Sequence, residues 1–217
     1  MILVPIKETA TAKQRLASVL DQASRTELAR AMLHDVLTTL RDWKAPAVGI
    51  VTGDCFATKL AAEYGFEVIP DTENPGETGA IEMATRVCVE RGLAETLVIP
   101  ADIPLIQPWE LEEIFQHAPA EGSVLVPAGD GRGTNAALRR PAALFPLRFG
   151  NDSFKPHHAA AQATGRACIV LKLPGIAVDV DNPADLLQLI SLPGQTRAQK
   201  LARQWNLSER PHATGSL

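Results

Sequence analysis

The chain has 217 residues, 46% hydrophobic and 21% charged, which is enough to bury a sizeable core within one large domain. With 21 Lys and Arg against 25 Asp and Glu, the formal charge of -4 argues against a general polyanion binder and so against nucleic acid; a local basic cluster could still hold one small anion. Cys55, Cys88 and Cys168 are too far apart for CxxC-type spacing and read as reduced, partly buried fillers, while no apolar run is long enough for a signal-peptide core or a membrane span, so a cytoplasmic location is expected.

Residues 1–6, a short apolar run rich in β-branched side chains, read as a buried strand, with the polar stretch 7–14 as the loop after it. Over 24–43, Leu28, Ala31, Met32, Val36, Leu37 and Leu40 recur at helical spacing behind a Ser24 cap, with Glu27 placed for a capping box. A strand over 47–52, a helix over 56–64 stopped by Gly65 and a strand over 67–69 follow, leading into a turn-rich loop over 70–78. Then come a helix over 79–91 closed by Gly92, a strand over 96–99, a helix after Pro108 and a strand over 123–126. Strands alternating with helices imply right-handed βαβ units and a mainly parallel sheet, a Rossmann-like α/β fold. The rest is less regular: a glycine loop over 129–133, a strand over 135–139, a helix over 152–164, extended stretches over 167–173 and 177–180, and a helix over 183–190. One domain over 1–192 is expected, with a tail over 193–217 that is helical through Leu201 and Trp205 and frayed over 208–217.

In an open parallel sheet, ligands bind beyond the carboxyl ends of the strands, which singles out the polar residues that follow strands. Asp102 follows one, and Asp179 and Asp181 stand two apart in an extended stretch that would point both to one face. Together they suit magnesium, which takes a few carboxylates and keeps water and substrate phosphate as its other ligands. An Asx turn at Asp102 and a helix cap at Asp181 explain the same residues, although Asn182 before Pro183 could be that cap and leave Asp181 spare. Lys7, Lys13 and Arg15 follow the first strand, either as a solvated loop or as the seat of a triphosphate; the loop holds no glycine, so no backbone cradle is predicted. Thr134, Gly150 and Ser153 could bind a phosphate or carboxylate, or form an ordinary turn and N-cap. His157 and His158 read as a surface pair, since adjacent helical residues do not face one another.

In order along the chain, Val4-Pro5-Ile6-Lys7, Ala12-Lys13-Gln14-Arg15-Leu16, Ala29-Arg30-Ala31-Met32-Leu33 and Ile99-Pro100-Ala101-Asp102-Ile103-Pro104 form the first half of a pattern. Gly133-Thr134-Asn135-Ala136, Arg148-Phe149-Gly150, Ser153-Phe154 with His157, and Asp179-Val180-Asp181-Asn182-Pro183 complete it. The set, spanning about residues 2–189, resembles the phospholactate guanylyltransferase family of coenzyme F-420 biosynthesis, within the molybdopterin-guanylyltransferase-like fold group. The resemblance implies a three-layer sandwich of the nucleotide-diphospho-sugar transferase type, with a mixed, mainly parallel sheet. It further implies that Lys13 and Arg15 contact the triphosphate of GTP, that Asp102, Asp179 and Asp181 hold magnesium, and that Thr134, Gly150 and Ser153 bind a small phosphorylated carboxylic acid. The acceptor would be phosphoenolpyruvate, 2-phospholactate or 3-phosphoglycerate, with phosphoenolpyruvate favoured by family analogy alone.

One departure bears on the nucleotide. Where relatives read Gly-Leu-Asn, this chain has Gly76-Glu77-Thr78-Gly79, expected near base or ribose; Glu77 could accept from guanine or simply begin a helix with favourable dipole. Two other readings compete: a related nucleotidyltransferase with another nucleotide or a sugar-phosphate acceptor, and a non-catalytic nucleotide-binding protein. A homodimer would give the apolar positions of the tail somewhere to pack.

Overall fold

The computed structural model describes residues 1–71, 76–150 and 152–205. β1 (Ile2–Ile6) and β2 (Val48–Thr52) are buried along their whole length, as central strands covered on both faces must be. α1 (Gln22–Asp42) starts one turn earlier than its apolar spacing suggests, because Asp21 caps it and accepts from Ser24 N at 2.8 Å; Ser24 is not the cap. α2 (Cys55–Tyr64) is capped by Asp54 and ends at Gly65, whose φ of 74° suits a residue without Cβ. β3 (Glu67–Pro70), α3 (Glu77–Glu90), β4 (Thr96–Val98), α4 (Pro108–His117) and β5 (Gly122–Pro127) continue the alternation. β6 (Thr134–Arg140), α5 (Phe154–Ala163), β7 (Ala167–Val170), α6 (Pro183–Ser191) and α7 (Arg197–Gln204) complete it.

The seven strands run in the order β3-β2-β1-β4-β6-β5-β7. β6 lies antiparallel to β4 and β5, and every other pairing is parallel, which gives the expected mixed, mainly parallel sheet. Apolar side chains of α1, α2 and α4 pack on one face of it, and those of α3 and α5 on the other, making three layers.

Two features of this topology set up the site. The chain steps from β1 to β2 on one side and later returns to β4 on the other, so a crevice opens between the carboxyl ends of β1 and β4. β6 runs backwards, so its first residue, Thr134, lies at that same edge, opposite Pro127 at the end of β5.

A third cluster joins the first half of α1 to α6 and α7 through Leu28, Met32, Leu186, Leu189, Ala198 and Ala202. The apolar face of the tail helix is thus covered within the chain, and Asp35 of α1 accepts from the backbone N–H of Arg197 and Ala198 at its start. That removes the packing need from which a dimer was expected. The expected fraying over 208–217 lies outside the described residues. Residues 177–180 do not form a strand; Val180 N donates instead to the Asp102 carbonyl at 3.2 Å. Cys55 is exposed, Cys88 buried, and all three cysteines are free. No described helix is long and apolar enough to cross a membrane.

Candidate active site

Two cavities meet at the crevice. The first, about 430 Å³, is lined by the loop after β1, by Met32 and Leu33 of α1, and by Glu77, Asp102 and Asp181. The second, about 580 Å³, is lined by the loop before β6, by Thr134, Asn135, Phe149, Gly150 and Ser153, and by Asp179. They share Arg15, Glu77, Pro100, Asp102 and Asp181, so one charged wall faces both. A wider groove of about 820 Å³ beside α7 shares no residue with either.

The loop after β1 folds as two 3-10 turns, over Thr9–Thr11 and Gln14–Leu16, rather than as an open phosphate cradle. Asp54 pins the first turn: its carboxylate accepts from Thr9 N at 2.7 Å and Thr9 Oγ1 at 2.9 Å while also capping α2. Burial works to raise the Asp54 pKa, but these donors outweigh it and hold the group below the usual carboxylate range.

Lys13 sits between the turns with φ 56° and ψ 42°, a left-handed conformation that costs a residue with Cβ about 1–2 kcal/mol. Its Nζ offsets that cost by bridging Asp102 Oδ2 at 2.5 Å and Asp181 Oδ1 at 2.9 Å. Arg15 Nη1 approaches Asp181 Oδ2 at 3.6 Å. Burial alone would lower the Lys13 pKa, yet the two carboxylates raise it, so the ammonium stays charged. Asp181 is held low in turn, the Lys13 charge outweighing burial. Asn182 caps α6, accepting from Ala184 N and Asp185 N, and Asp181 is therefore spared for Lys13.

Asp179 and Asp181 both line the second cavity but take different partners. Asp179 Oδ1 accepts from Asn135 Nδ2 at 2.9 Å, and Asp181 turns to Lys13. Burial, together with the Asp102 and Asp181 charges, pushes Asp179 up to about 6, despite the Asn135 bond. Burial and the Asp102 charge likewise push Glu77 up to about 7, Lys7 opposing. Carboxylates thus outnumber the cations buried with them. As the side chains stand, no described group of three or more His, Cys, Asp or Glu is gathered closely enough to hold a metal ion. Lys13 occupies the space between Asp102 and Asp181. Asp179 and Glu77, raised in pKa by burial and by neighbouring carboxylates, stand beside Asp102 and Asp181 in a wall rich in carboxylate oxygens, the donor type that suits a hard divalent cation.

Of the segment expected near the nucleotide, Glu77 lines both cavities, whereas Thr78 and Gly79 line neither. Thr78 Oγ1 is engaged with the backbone of Phe149, accepting from its N–H at 3.1 Å, and Gly79 lies within α3. On the opposite side, Gly150 takes φ 134°, and a Cβ there would meet nothing, so backbone conformation alone calls for glycine. Ser153 Oγ accepts from Thr134 N at 3.0 Å.

His157 corrects the expectation of a surface pair, being 1% exposed, with its ring nitrogens bonded to Thr134 Oγ1 and Arg148 N. The adjacency rule for helices excludes a shared metal but says nothing of burial. The available signal was His157's place one turn after Ser153, which sets the two on one side of the helix. Asn135 was also missed as a site residue; it follows Thr134 in a strand, and alternation turns it to the face of Asp179.

A family model described as guanylyl transferase CofC like matches residues 1–217. The chain is 36% identical over 203 residues to phosphoenolpyruvate guanylyltransferase of Roseiflexus castenholzii, covering 94% of this chain and 93% of that one. It is 33% identical over 206 residues to 3-phospho-D-glycerate guanylyltransferase of Colwellia psychrerythraea, covering 93% and 97%. A solved structure from Desulfovibrio desulfuricans G20, provisionally described as a nucleotide-diphospho-sugar transferase, shares the fold with a TM-score of 0.76 at 19% identity, covering 94% of this chain and 93% of that one.

Proposed function

The chain belongs to the guanylyl transferase CofC-like family, and from that premise we propose that it transfers GMP from GTP to a small phosphorylated carboxylic acid, as in coenzyme F-420 biosynthesis. The observation that carries this reading is the pair of cavities divided by one wall of Arg15, Glu77, Asp102 and Asp181. A transfer between two phosphorylated substrates needs that arrangement, with a pocket for each and the charges concentrated where they meet.

GTP belongs in the cavity along the β1 loop, where Lys7, Lys13 and Arg15 are the cations. The acid belongs in the second cavity, its phosphate and carboxylate taking donors from Thr134, Ser153 and the backbone about Gly150. Its phosphate, with a second pKa of about 6, is largely ionised at neutral pH, so no general base is needed. A phosphate oxygen attacks the α-phosphorus of GTP; the bond from the α-phosphorus to the bridging oxygen breaks, and pyrophosphate leaves. Lys13 and Arg15 offset the charge that gathers on the leaving group. Magnesium, held by Asp102 and Asp181 with Asp179 beside them, would supply further charge neutralisation at the phosphates. Asn135 orients Asp179 towards the wall.

The test is pyrophosphate release with magnesium and GTP against phosphoenolpyruvate, 2-phospho-L-lactate and 3-phospho-D-glycerate singly, ATP replacing GTP as control and the product weighed by mass spectrometry. A guanylylated acid is expected with at least one of them; silence with all three contradicts the proposal.

A further inference from the structure

The hydroxyls of the acid-side cavity have a direction, and a buried residue outside the cavity sets it. His157 is absent from that lining and buried behind Thr134, its ring edge-on to Phe149 with centroids 5.0 Å apart. His157 Nε2 accepts from the backbone N–H of Arg148 at 2.7 Å, and a backbone amide can only donate. A neutral ring so engaged carries its proton on Nδ1, which lies 2.9 Å from Thr134 Oγ1. The Thr134 oxygen therefore accepts from His157, and its own hydroxyl proton is left to point elsewhere. Ser153 Oγ is in the same position, since it accepts from Thr134 N–H at 3.0 Å. Burial, with the Arg139 charge adding to it, lowers the His157 pKa to about 4, so the ring stays neutral across the working range.

We infer that His157 is a positioning residue that, by donating to Thr134 Oγ1, leaves the Thr134 hydroxyl proton free to be given to a ligand, favouring in the acid-side cavity a ligand rich in acceptor oxygens. An ionised phosphate or carboxylate has only acceptor oxygens and takes that proton in a charge-assisted bond, whereas a sugar hydroxyl would accept it in the weaker bond of a neutral pair. The inference rests on the placing of the acid beside Thr134 and Ser153, and the experiment separates the two claims.

Asparagine and glutamine divide the two bonds of the ring. Asn places its amide where Nδ1 stands and can still donate to Thr134; Gln places its polar atoms where Nε2 stands and can still accept from Arg148. Kinetics of His157→Gln, His157→Asn and Thr134→Val with GTP, magnesium and phosphoenolpyruvate, 2-phospho-L-lactate or 3-phospho-D-glycerate should show a split. His157→Gln is expected to raise KM for the acid about fivefold, as the loss of one neutral hydrogen bond that orients the Thr134 hydroxyl does, with KM for GTP unmoved. His157→Asn should recover most of that loss, and adding His157→Gln to Thr134→Val should raise KM for the acid no further. If Asn is instead the more damaging substitution, the histidine serves only to hold the Arg148 backbone, and the inference fails. Additive effects of His157→Gln and Thr134→Val also overturn it. Should Thr134→Val leave KM for the acid unchanged, the placing of the acid itself is wrong and the inference falls with it.

Discussion

The two sides of the crevice are held in different ways. On the side proposed for the nucleotide a glycine-free loop is kept in shape by charge: Lys13 is drawn onto Asp102 and Asp181, and Asp54 ties down the turn before it. On the side proposed for the acid the network is neutral, running from Arg148 N through the buried side chains of His157, Thr134 and Ser153. A charge-held side can be rearranged by an incoming triphosphate, which offers Lys13 an alternative partner of the same sign as the carboxylates it leaves. A side held by directional hydrogen bonds is preformed, and its selectivity lies in which groups donate.

Four substitutions test that contrast. The largest effect is expected where both sides meet: Asp102→Asn should lower kcat/KM by about 10³-fold, since several kcal/mol of charge organisation at the phosphates is lost, and pyrophosphate release measures it. Lys13→Met should lower kcat/KM for GTP by about 10²-fold and leave KM for the acid nearly unchanged, which would sharpen the division. Ser153→Ala should do the reverse, raising KM for the acid about tenfold with little change for GTP. If either variant moves both KM values together, the division into two sides is broken.

The smallest effect concerns stability. Asp54→Ala removes the α2 cap and both bonds to Thr9, and should cost about 1–2 kcal/mol in urea unfolding. Because the folded pKa of Asp54 is depressed, its contribution is present above the unfolded value near 3.8 and is lost as pH falls through the folded value. The gap between the unaltered protein and the variant should therefore narrow as pH falls below about 4.

Much of the frame was legible because central parallel strands are continuous apolar runs, and helix caps and glycines punctuate what lies between. Asp102 could be picked out because it follows a strand in such a sheet. Thr134 could be picked out only as part of a glycine loop. The reason it belongs at the crevice is that β6 runs backwards, and pairing direction is not written in local periodicity. Asp21 displaced Ser24 as the cap of α1 because both are good caps and the turn before the apolar stripe is polar enough to join the helix. The separate partners of Asp179 and Asp181 depend on Asn135 and Lys13, which lie 44 and 168 residues away. No local pattern carries contacts at that separation.

The most direct test of the two-sided crevice is a structure with magnesium, a non-hydrolysable GTP analogue and phosphoenolpyruvate bound together. The triphosphate is expected along the β1 loop with Lys13 Nζ withdrawn from Asp102 and Asp181, and the acid's phosphate within hydrogen-bond reach of Thr134 and Ser153. A triphosphate seated in the cavity of Thr134 and Ser153, or a lysine that keeps both carboxylates with the nucleotide in place, would contradict it.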